Sequence, residues 1–224
     1  MIHVDAATKV FRSGRGQVRA LDDVSFSIEA GRFTAVIGKS GSGKSTLLNC
    51  IGGLEPPDQG SISCFGTLIY SLSARELSRF QRRELGFVFQ QGNLLSYLTV
   101  AENIGLPLAL NGVNGNRRSN RIEALLQRIG LPSAAKALPR ELSSGEAQRV
   151  ALARAIAHHP KILLADEPTA NLDTATGEQA VRLMRDLGRD HHCTIIMATH
   201  DNEITATADR VIRLKDGRIH EEKK

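Results

Sequence analysis

The chain has 224 residues, of which 41% are hydrophobic and 24% charged, as in a soluble globular domain that buries a core. Its longest apolar runs are strand-length, far short of the roughly 20 residues that cross a bilayer, and its first residues lack the basic start and apolar block of a signal peptide. We therefore expect a cytosolic chain, and its net charge of +5 is too scattered to favour nucleic acid as a partner.

The start of the chain predicts strands at residues 2–11, 24–28 and 33–37, because these segments alternate or run apolar. The third strand leads into Gly38-x-x-x-x-Gly43-Lys44-Ser45, and a helical pattern follows. This context is the one that a phosphate-binding P-loop requires, so a chance glycine-rich turn is the weaker alternative. The residues that we expect to bind ATP here are Gly38, Lys39, Ser40, Gly41, Ser42, Gly43, Lys44, Ser45 and Thr46.

Each part of this loop has a chemical task. The glycines let the backbone wrap so that its N–H groups converge on phosphate oxygens. The following helix points the positive end of its dipole at the same anion. Lys44 is predicted to reach the β and γ phosphates, and Ser45 is predicted to ligate Mg²⁺.

The middle of the chain is mostly helical in pattern, with a few short apolar segments. Pro, Gly and polar residues separate these segments and predict turns between them. The predicted elements are short strands at 61–64 and 67–70, a helix at 74–84 capped by Ser73, a strand at 86–89 that ends at Gln90, a helix capped by Thr99, a helix at 117–129, and a helix from Ser143 to residue 159.

The helix that begins at Ser143-Ser144-Gly145-Glu146 carries a second feature of interest. Ser143 and Glu146 have the spacing of a capping box, which satisfies free backbone N–H groups. A capping box leaves Gly145 unexplained, because glycine weakens the first turn of a helix. A glycine there lets a ligand approach the backbone, so we predict a second phosphate site, one that meets the nucleotide of another copy of the chain.

Two adjacent acids follow a short apolar run at 162–165, which predicts a buried strand. Ligands in open α/β sheets bind at the carboxyl ends of strands, and Mg²⁺ prefers carboxylate oxygens. We therefore assign Asp166 to the metal, through water, and Glu167 to the general base that activates the attacking water. The alternative is a solvated strand end.

The last part of the chain alternates helices with strands. Apolar strands alternating with helices predict an α/β fold with a parallel sheet covered on both faces. The helix-only middle predicts a lobe at 91–159 inserted into a core formed by 1–90 and 160–224. The predicted elements after residue 170 are a helix to 189 capped by Asp173 or Thr174, a strand at 194–198, a short helix at 202–208, and a hairpin of 211–214 and 218–220 around Asp216-Gly217.

The cysteines Cys50, Cys64 and Cys193 are scattered and form no CxxC pair. They are predicted to be small apolar core residues in a reducing compartment. We expect neither a disulfide nor a cysteine-bound metal.

The order of these motifs resembles that of an ABC (ATP-binding cassette) ATPase across nearly the whole chain. The P-loop, Gln90, Asp166-Glu167 and His200 are in place, and Leu142-Ser143-Ser144-Gly145-Glu146 is similar to the family signature Leu-Ser-Gly-Gly-Gln. Ser144 departs from that signature by replacing a glycine. The resemblance implies a P-loop NTPase cassette with a mostly parallel core, an N-terminal antiparallel β subdomain and an inserted helical lobe.

The resemblance also implies roles for single residues. Phe11, with Val18 nearby, matches the aromatic that stacks on adenine; ordinary core packing is the alternative for Phe11. Gln90 matches the loop that senses Mg²⁺ and water and contacts the membrane partner. Asp173 matches the loop that crosses between subunits, and His200 matches the histidine that contacts the γ-phosphate.

The family mechanism would then apply. It implies that two cassettes pack head to tail, with each ATP between the P-loop of one copy and the Ser143 helix of the other. Binding closes the pair, and hydrolysis with Mg²⁺ reopens it. The implied partners are a second copy and integral membrane permease subunits, which place the chain at the cytoplasmic face of the inner membrane.

Segments at 86–90, 93–95, 98–103 and 166–169 resemble one bacterial branch, that of the lipoprotein-release, macrolide-export and cell-division ATPases. This resemblance favours a transport ATPase that drives export or extraction of a lipoprotein, peptide or drug. A non-transport ATPase of the cell-division type is the alternative. ABC proteins of DNA repair or translation fit least, because they carry long coiled coils, zinc motifs or two cassettes.

Overall fold

The computed structural model describes residues 1–13, 16–190 and 192–223. The chain forms two units, one of Met1–Gln81 with Thr194–Lys224 and one of Arg82–Cys193. The predicted division into a core and a helical lobe, near residues 90 and 160, stays a prediction. In chain order the elements are β1 (Ile2–Ser13), β2 (Gly16–Ile28), β3 (Phe33–Ile37), α1 (Lys44–Ile51), β4 (Gln59–Cys64), β5 (Thr67–Leu68), α2 (Ala74–Glu84), β6 (Leu85–Val88), α3 (Val100–Leu110), α4 (Gly115–Arg128), α5 (Ser144–Ile156), β7 (Ile162–Asp166), α6 (Thr174–Asp190), β8 (Thr194–Thr199), α7 (Asn202–Thr205), β9 (Arg210–Lys215) and β10 (Arg218–Lys223).

The first unit begins with an antiparallel sheet in the order β2-β1-β4-β5. Residues on one face of β1, such as Ile2 and Val4, are buried, while the intervening His3 is exposed, as expected for a strand with one covered face. The register pairs Phe11 of β1 with Val18 of β2. The sheet therefore presents these two apolar side chains side by side.

The first unit also holds a group of parallel strands, in which β3 lies between β8 and β9. Every residue of β3 and β8 is buried, which is typical of central parallel strands. Ile37 pairs with Thr199, so β3 and β8 end at the same edge. The loop after Ile37 and the residue after Thr199 consequently start from neighbouring points.

The predicted hairpin at the end of the chain is present. β9 and β10 pair antiparallel, and both turn residues have positive φ, 49° at Asp216 and 77° at Gly217. Two consecutive positive φ angles define the type I′ turn that an Asp-Gly pair favours, because this turn matches the twist of the strands.

The second unit combines the parallel pair β6 and β7 with α3 to α6. Val88 pairs with Ala165, so β6 and β7 also end together. Helix α5 packs so closely on β6 that a side chain at Gly86 would collide with the carbonyl oxygen of Ala155. Among the described residues, no helix has both the length and the apolar content needed to cross a bilayer.

Local sequence signals account for the helix starts. Ser73 contacts Glu76 before α2, and complete capping boxes join Thr99 to Glu102 and Ser143 to Glu146. The cap of α6 is Asp173, whose carboxylate accepts from the backbone N–H of Thr176 at 3.0 Å. The predicted starts of these helices are therefore confirmed to within a residue.

Several predicted element bounds were wrong. The strand predicted at 24–28 begins eight residues earlier, at Gly16, and the strand predicted at 2–11 continues to Ser13. The predicted strand 67–70 ends at Leu68, where a 3-10 turn, Ile69–Ser71, begins. The predicted helix from Ser143 to 159 ends at Ile156, because His159 adopts a φ of 59°. The predicted helix 202–208 ends at Thr205.

Candidate functional site

The loop between β3 and α1 has the backbone of a phosphate cradle. Gly43, the cap of α1, has φ 103° and ψ 3°, a left-handed conformation that glycine adopts without strain. A side chain there would also collide with the carbonyl oxygen of Ala20, and one at Gly38 would collide with the carbonyl oxygen of Leu214. Both ends of the motif therefore require glycine for reasons of space, and Gly43 requires it for φ as well.

The first turn of α1 is well suited to an anion. Gly43 makes no side-chain cap at the helix start, and α1, which is described in full, has no acidic residue in its first turn. Such a helix end attracts negative charge through its N–H groups and its dipole. The start of α1 is therefore a suitable place for phosphate oxygens.

Lys44 places its ammonium over this loop. The residue is only 5% exposed, and its Nζ donates to the carbonyl oxygens of Gly38 at 2.9 Å and Lys39 at 3.2 Å. The other predicted phosphate ligands differ in exposure. Lys39, Ser40, Gly41 and Ser45 are exposed, Thr46 is half-buried and Ser42 is buried.

His200 lies at the same edge of the first unit as this loop. It directly follows β8, whose last residue, Thr199, pairs with the last residue of β3, Ile37. His200 is exposed. The adjacent turn is held by the backbone N–H of Asp201, which donates to Oγ1 of Thr199 at 3.0 Å.

Phe11 and Val18 form an exposed apolar pair on the antiparallel sheet. Phe11 is 42% exposed and Val18 is 64% exposed, so core packing does not account for either side chain. The ammonium of Lys9 lies 5.4 Å from the centroid of the Phe11 ring, within the range of a cation–π contact. An exposed ring next to an apolar neighbour is suited to stacking on another flat ring.

The two acids of the second unit lie at the end of β7, as the sequence predicts. Asp166 is the last residue of β7, and both it and Glu167 are half-buried. Glu167 has φ 44°, a left-handed conformation that costs an ordinary residue roughly 1–2 kcal/mol. Strain of this kind concentrates at functional sites.

Gln90 lies just beyond β6, the strand that pairs with β7 and ends level with it. Gln90 is exposed. Its carbonyl oxygen accepts a hydrogen bond from Nδ2 of Asn171 at 3.3 Å. Gln90 and the segment after Glu167 are thus held together within the second unit.

The predicted signature residues begin α5 through a capping box. The backbone N–H and the hydroxyl of Ser143 donate to Oε2 of Glu146 at 2.8 and 2.7 Å. These hydrogen bonds, that of the hydroxyl first, hold the pKa of Glu146 below its ordinary value. Ser144 is exposed.

Gly145 has a packing role that the sequence did not reveal. It is buried, and a Cβ at this position would lie 2.7 Å from Cγ2 of Thr176 in α6. Helix α6 therefore requires a glycine here whether or not a ligand approaches. The predicted approach of a phosphate to Gly145 stays a prediction.

Asp173 also has a local role, because it caps α6. Its pKa is lowered by the hydrogen bonds that it accepts from Thr176. Its predicted position between two subunits stays a prediction. The residues predicted to hold Mg²⁺, Ser45, Gln90 and Asp166, offer hydroxyl, amide and carboxylate oxygens, which are the hard donors that this ion prefers.

Comparisons with known proteins agree with the motifs. A family model described as ABC transporter matches residues 21–170. An uncharacterized ABC transporter ATP-binding protein of Mycobacterium tuberculosis is 44% identical over 209 residues, covering 93% of this chain and 84% of the relative. The macrolide export ATP-binding/permease protein MacB of Neisseria meningitidis is 44% identical over 219 residues. The match covers 98% of this chain but only 34% of MacB.

Solved structures give the same result. A dimeric post-hydrolysis state of the ATP-binding cassette MJ0796, bound to ADP and Pi, is 38% identical with a TM-score of 0.93, covering 100% of this chain and 98% of that chain. The protein cbiO1 from Clostridium perfringens, part of an ABC transporter complex, is 29% identical with a TM-score of 0.87. That alignment covers 99% of this chain and 87% of cbiO1.

Proposed function

The chain belongs to the ABC transporter family and is an ATPase, and on that premise we propose that it powers a separate membrane permease by closing and reopening a pair of its own copies. The proposed work is export or extraction of a substrate such as a lipoprotein, peptide or drug. A membrane mechanotransmission complex of the cell-division type is the second candidate.

The phosphate cradle carries this proposal. In the first unit, the N–H groups at the start of α1 and the ammonium of Lys44 bind the β and γ phosphates of ATP. Phe11 and Val18 stack on the adenine, and His200 contacts the γ-phosphate. The support for these roles is the buried Lys44, the left-handed glycine at the cap of α1 and the exposed aromatic ring.

The acids of the second unit perform the chemical step. Glu167 accepts a proton from the attacking water as that water approaches the γ-phosphate. Asp166, Gln90 and Ser45 are each proposed as oxygen donors to Mg²⁺. The ion neutralises charge that develops on the phosphate oxygens.

Each nucleotide is proposed to lie between two copies of the chain. The start of α5, at Ser143 to Glu146, then contacts the γ-phosphate bound by the partner copy, and Asp173 lies where the copies cross. A contact made only with the triphosphate stabilises the closed pair over the open one. The dimeric cassette MJ0796, with 38% identity, supports this arrangement.

A permease is the proposed membrane partner, because relatives 44% identical to this chain are named ATP-binding/permease proteins. The second unit has an apolar groove of about 250 Å³ whose lining includes Phe87, Leu106, Pro107 and Leu110. Leu110 is 56% exposed, and burying such a side chain is favourable. We assign this groove to a permease segment, which places the chain at the cytoplasmic face of the membrane.

The test is the ATPase activity of the purified chain with Mg²⁺ and of its Lys44→Ala variant. We expect the variant to lose turnover by at least about 100-fold, because it lacks the ammonium that is proposed to reach the β and γ phosphates. Lys161→Ala removes a surface lysine that pairs with Glu84 and serves as the matched control with unchanged turnover. Wild-type turnover in Lys44→Ala would refute the proposed cradle.

Co-purification from membranes distinguishes the two candidate functions. A permease that moves a substrate into or across vesicles in an ATP-dependent way supports transport. A membrane partner that regulates a cell-wall hydrolase, with no vesicle transport, supports the cell-division type. Neither outcome alters the assignment of the ATPase site.

A further inference from the structure

Residues 89–93, here named the Gln90 loop, are tied to their surroundings through their backbone carbonyls. Nε2 of Gln148 donates to the carbonyl oxygen of Phe89 at 3.3 Å. Nδ2 of Asn171 donates to the carbonyl oxygen of Gln90 at 3.3 Å. Both bonds are long, and each comes from a neutral amide, so these two contacts alone fix the loop weakly.

Arg154 of α5 makes the strong contacts to this loop. Its Nη1 donates to the carbonyl oxygen of Asn93 at 2.7 Å, and its Nη2 donates to that of Gly92 at 2.8 Å. Hydrogen bonds from a charged donor are stronger than those from a neutral amide. Burial lowers the pKa of the guanidinium from its ordinary value, in keeping with a charge removed from water and satisfied by carbonyl oxygens.

The loop requires such support because its backbone is strained. Gly92 and Asn93 are consecutive and both have positive φ, 68° and 47°. The left-handed conformation is unfavourable for a residue with a side chain, such as Asn93. A side chain at Gly92 would press against α5, because its Cβ would lie 3.3 Å from Cβ of Ala151.

We propose that Arg154 is a positioning residue that fixes the Gln90 loop to α5, so that Gln90 keeps its place for the reaction. This inference rests on the proposed function, in which Gln90 contacts Mg²⁺ and the attacking water. Among the described residues, the hydrogen bonds of the Arg154 side chain go to the backbone carbonyl oxygens of residues 92 and 93 and to none of the residues proposed for the reaction, although Arg154 also lines the apolar groove.

The same contact links the Gln90 loop to the other end of α5. Ser143 caps that helix eleven residues before Arg154, which corresponds to about 16 Å at 1.5 Å per residue. A helix of this length moves as one body, so a displacement of the Ser143 end is carried to the Gln90 loop through Arg154. Lysine is not equivalent, because it is a single point donor and not a planar fork.

The experiment compares Arg154→Met, Arg154→Lys, Gln90→Ala and the double variant Arg154→Met/Gln90→Ala in the full chain. Arg121→Met is the matched control: Arg121 is also a partly buried arginine of this unit with a lowered pKa, and it donates to the carbonyl oxygen of Ala157 at 3.1 Å. The measurements are kcat, KM for ATP, melting temperature and amide exchange of residues 89–95.

We expect Arg154→Met to lower kcat about 10- to 100-fold, as for a catalytic group displaced by about 1 Å. We expect KM for ATP to change less than about twofold, because the variant leaves the proposed phosphate cradle intact. Amide exchange at 89–95 rises. Arg154→Lys should have a kcat between those of the wild type and Arg154→Met. In the Gln90→Ala background, Arg154→Met should lower kcat no further, because both changes act through Gln90. Arg121→Met lowers the melting temperature but leaves kcat unchanged.

Three results would overturn the inference. In the first, Gln90→Ala lowers kcat but Arg154→Met lowers it equally in both backgrounds, so that Arg154 does not act through Gln90. In the second, Arg154→Lys keeps wild-type kcat and wild-type amide exchange, which would show that the planar guanidinium is not needed. This variant also tests the inference if Arg154→Met does not fold. If Gln90→Ala itself has wild-type kcat, the proposed role of Gln90 fails, and the inference fails with it.

Discussion

The backbone N–H of Gly217 donates a hydrogen bond of 3.1 Å to the carbonyl oxygen of Ser42. Ser42 belongs to the phosphate loop, and Gly217 is the turn residue of the last hairpin. The carbonyl oxygen of Gly217 in turn accepts from the N–H of Asp22 at 2.9 Å, and the carboxylate of Asp22 pairs with Arg218 at 2.5 Å. The turn of the last hairpin is therefore hydrogen-bonded to the loop that is proposed to bind phosphate.

We predict that Gly217→Ala weakens both the fold and nucleotide binding. The left-handed φ of 77° costs alanine about 1 kcal/mol, and the new Cβ would lie 3.0 Å from the carbonyl oxygen of Ala20. Relief of that contact shifts the turn and its bond to Ser42. We expect a loss of about 2–3 kcal/mol in the free energy of unfolding and a several-fold weaker affinity for ATP.

Gly112→Ala is the matched control for this prediction. Gly112 has φ 78°, and a Cβ there would have no atom within 4 Å among the described residues. The variant isolates the backbone cost of about 1 kcal/mol and leaves ATP affinity unchanged. Equal losses of stability in the two variants, with equal ATP affinity, would show that the hairpin does not support the phosphate loop.

We predict that the start of α5 loses stability in acid. Because hydrogen bonds from Ser143 hold the pKa of Glu146 below its ordinary value, the carboxylate stabilises the fold fully above the ordinary pKa of glutamate. That contribution falls as the pH drops through the lowered value. It is smaller than about 1 kcal/mol, because the site faces solvent.

The check is the free energy of unfolding of the wild type and of Glu146→Gln between pH 7 and pH 3. The advantage of the wild type is expected to be largest at pH 7 and to shrink on acidification. Glu102→Gln, in the equivalent box at Thr99, follows the same course. A difference between wild type and Glu146→Gln that is constant with pH would contradict the prediction.

Signals local in sequence predicted much of the fold. The cap residues Ser73 and Thr99 and the capping box at Ser143 located three helix starts, and Asp216-Gly217 located the final hairpin. The strand predicted at 67–70 ends early, at Leu68, and the hydroxyl of Tyr70 lies 2.7 Å from the carbonyl oxygen of Cys50 and 2.6 Å from that of Glu55. Contacts between segments so far apart in sequence leave no local pattern.

The candidate site shows the same limit. The phosphate loop is a continuous motif, so its residues and their context were readable from the sequence. Arg154 was missed because its partners, Gly92 and Asn93, are about 60 residues away and offer only backbone atoms. Gly145 was interpreted through ligand approach alone, since the sequence does not show that Thr176 packs against it.

We predict that the three cysteines do not react in the folded chain. Cys50, Cys64 and Cys193 are all buried free thiols, and burial raises the pKa of each to about 12. The thiolate is the reactive form, so at pH 8 a disulfide reagent should label none of them. Labelling in guanidinium should reach three per chain, whereas rapid labelling of any native cysteine, or loss of ATPase activity on treatment, would contradict the prediction.

The shared nucleotide site is tested most directly by the mass of Glu167→Gln in solution. This change removes the proposed base and keeps the shape of the side chain, so ATP binds but is not consumed. Sedimentation of the variant with ATP and Mg²⁺ should show a dimer with two nucleotides, and without ATP a monomer. Replacement of Ser143 by arginine in the same variant should prevent the dimer. A chain of Glu167→Gln that binds ATP at saturation and remains a monomer would contradict the account.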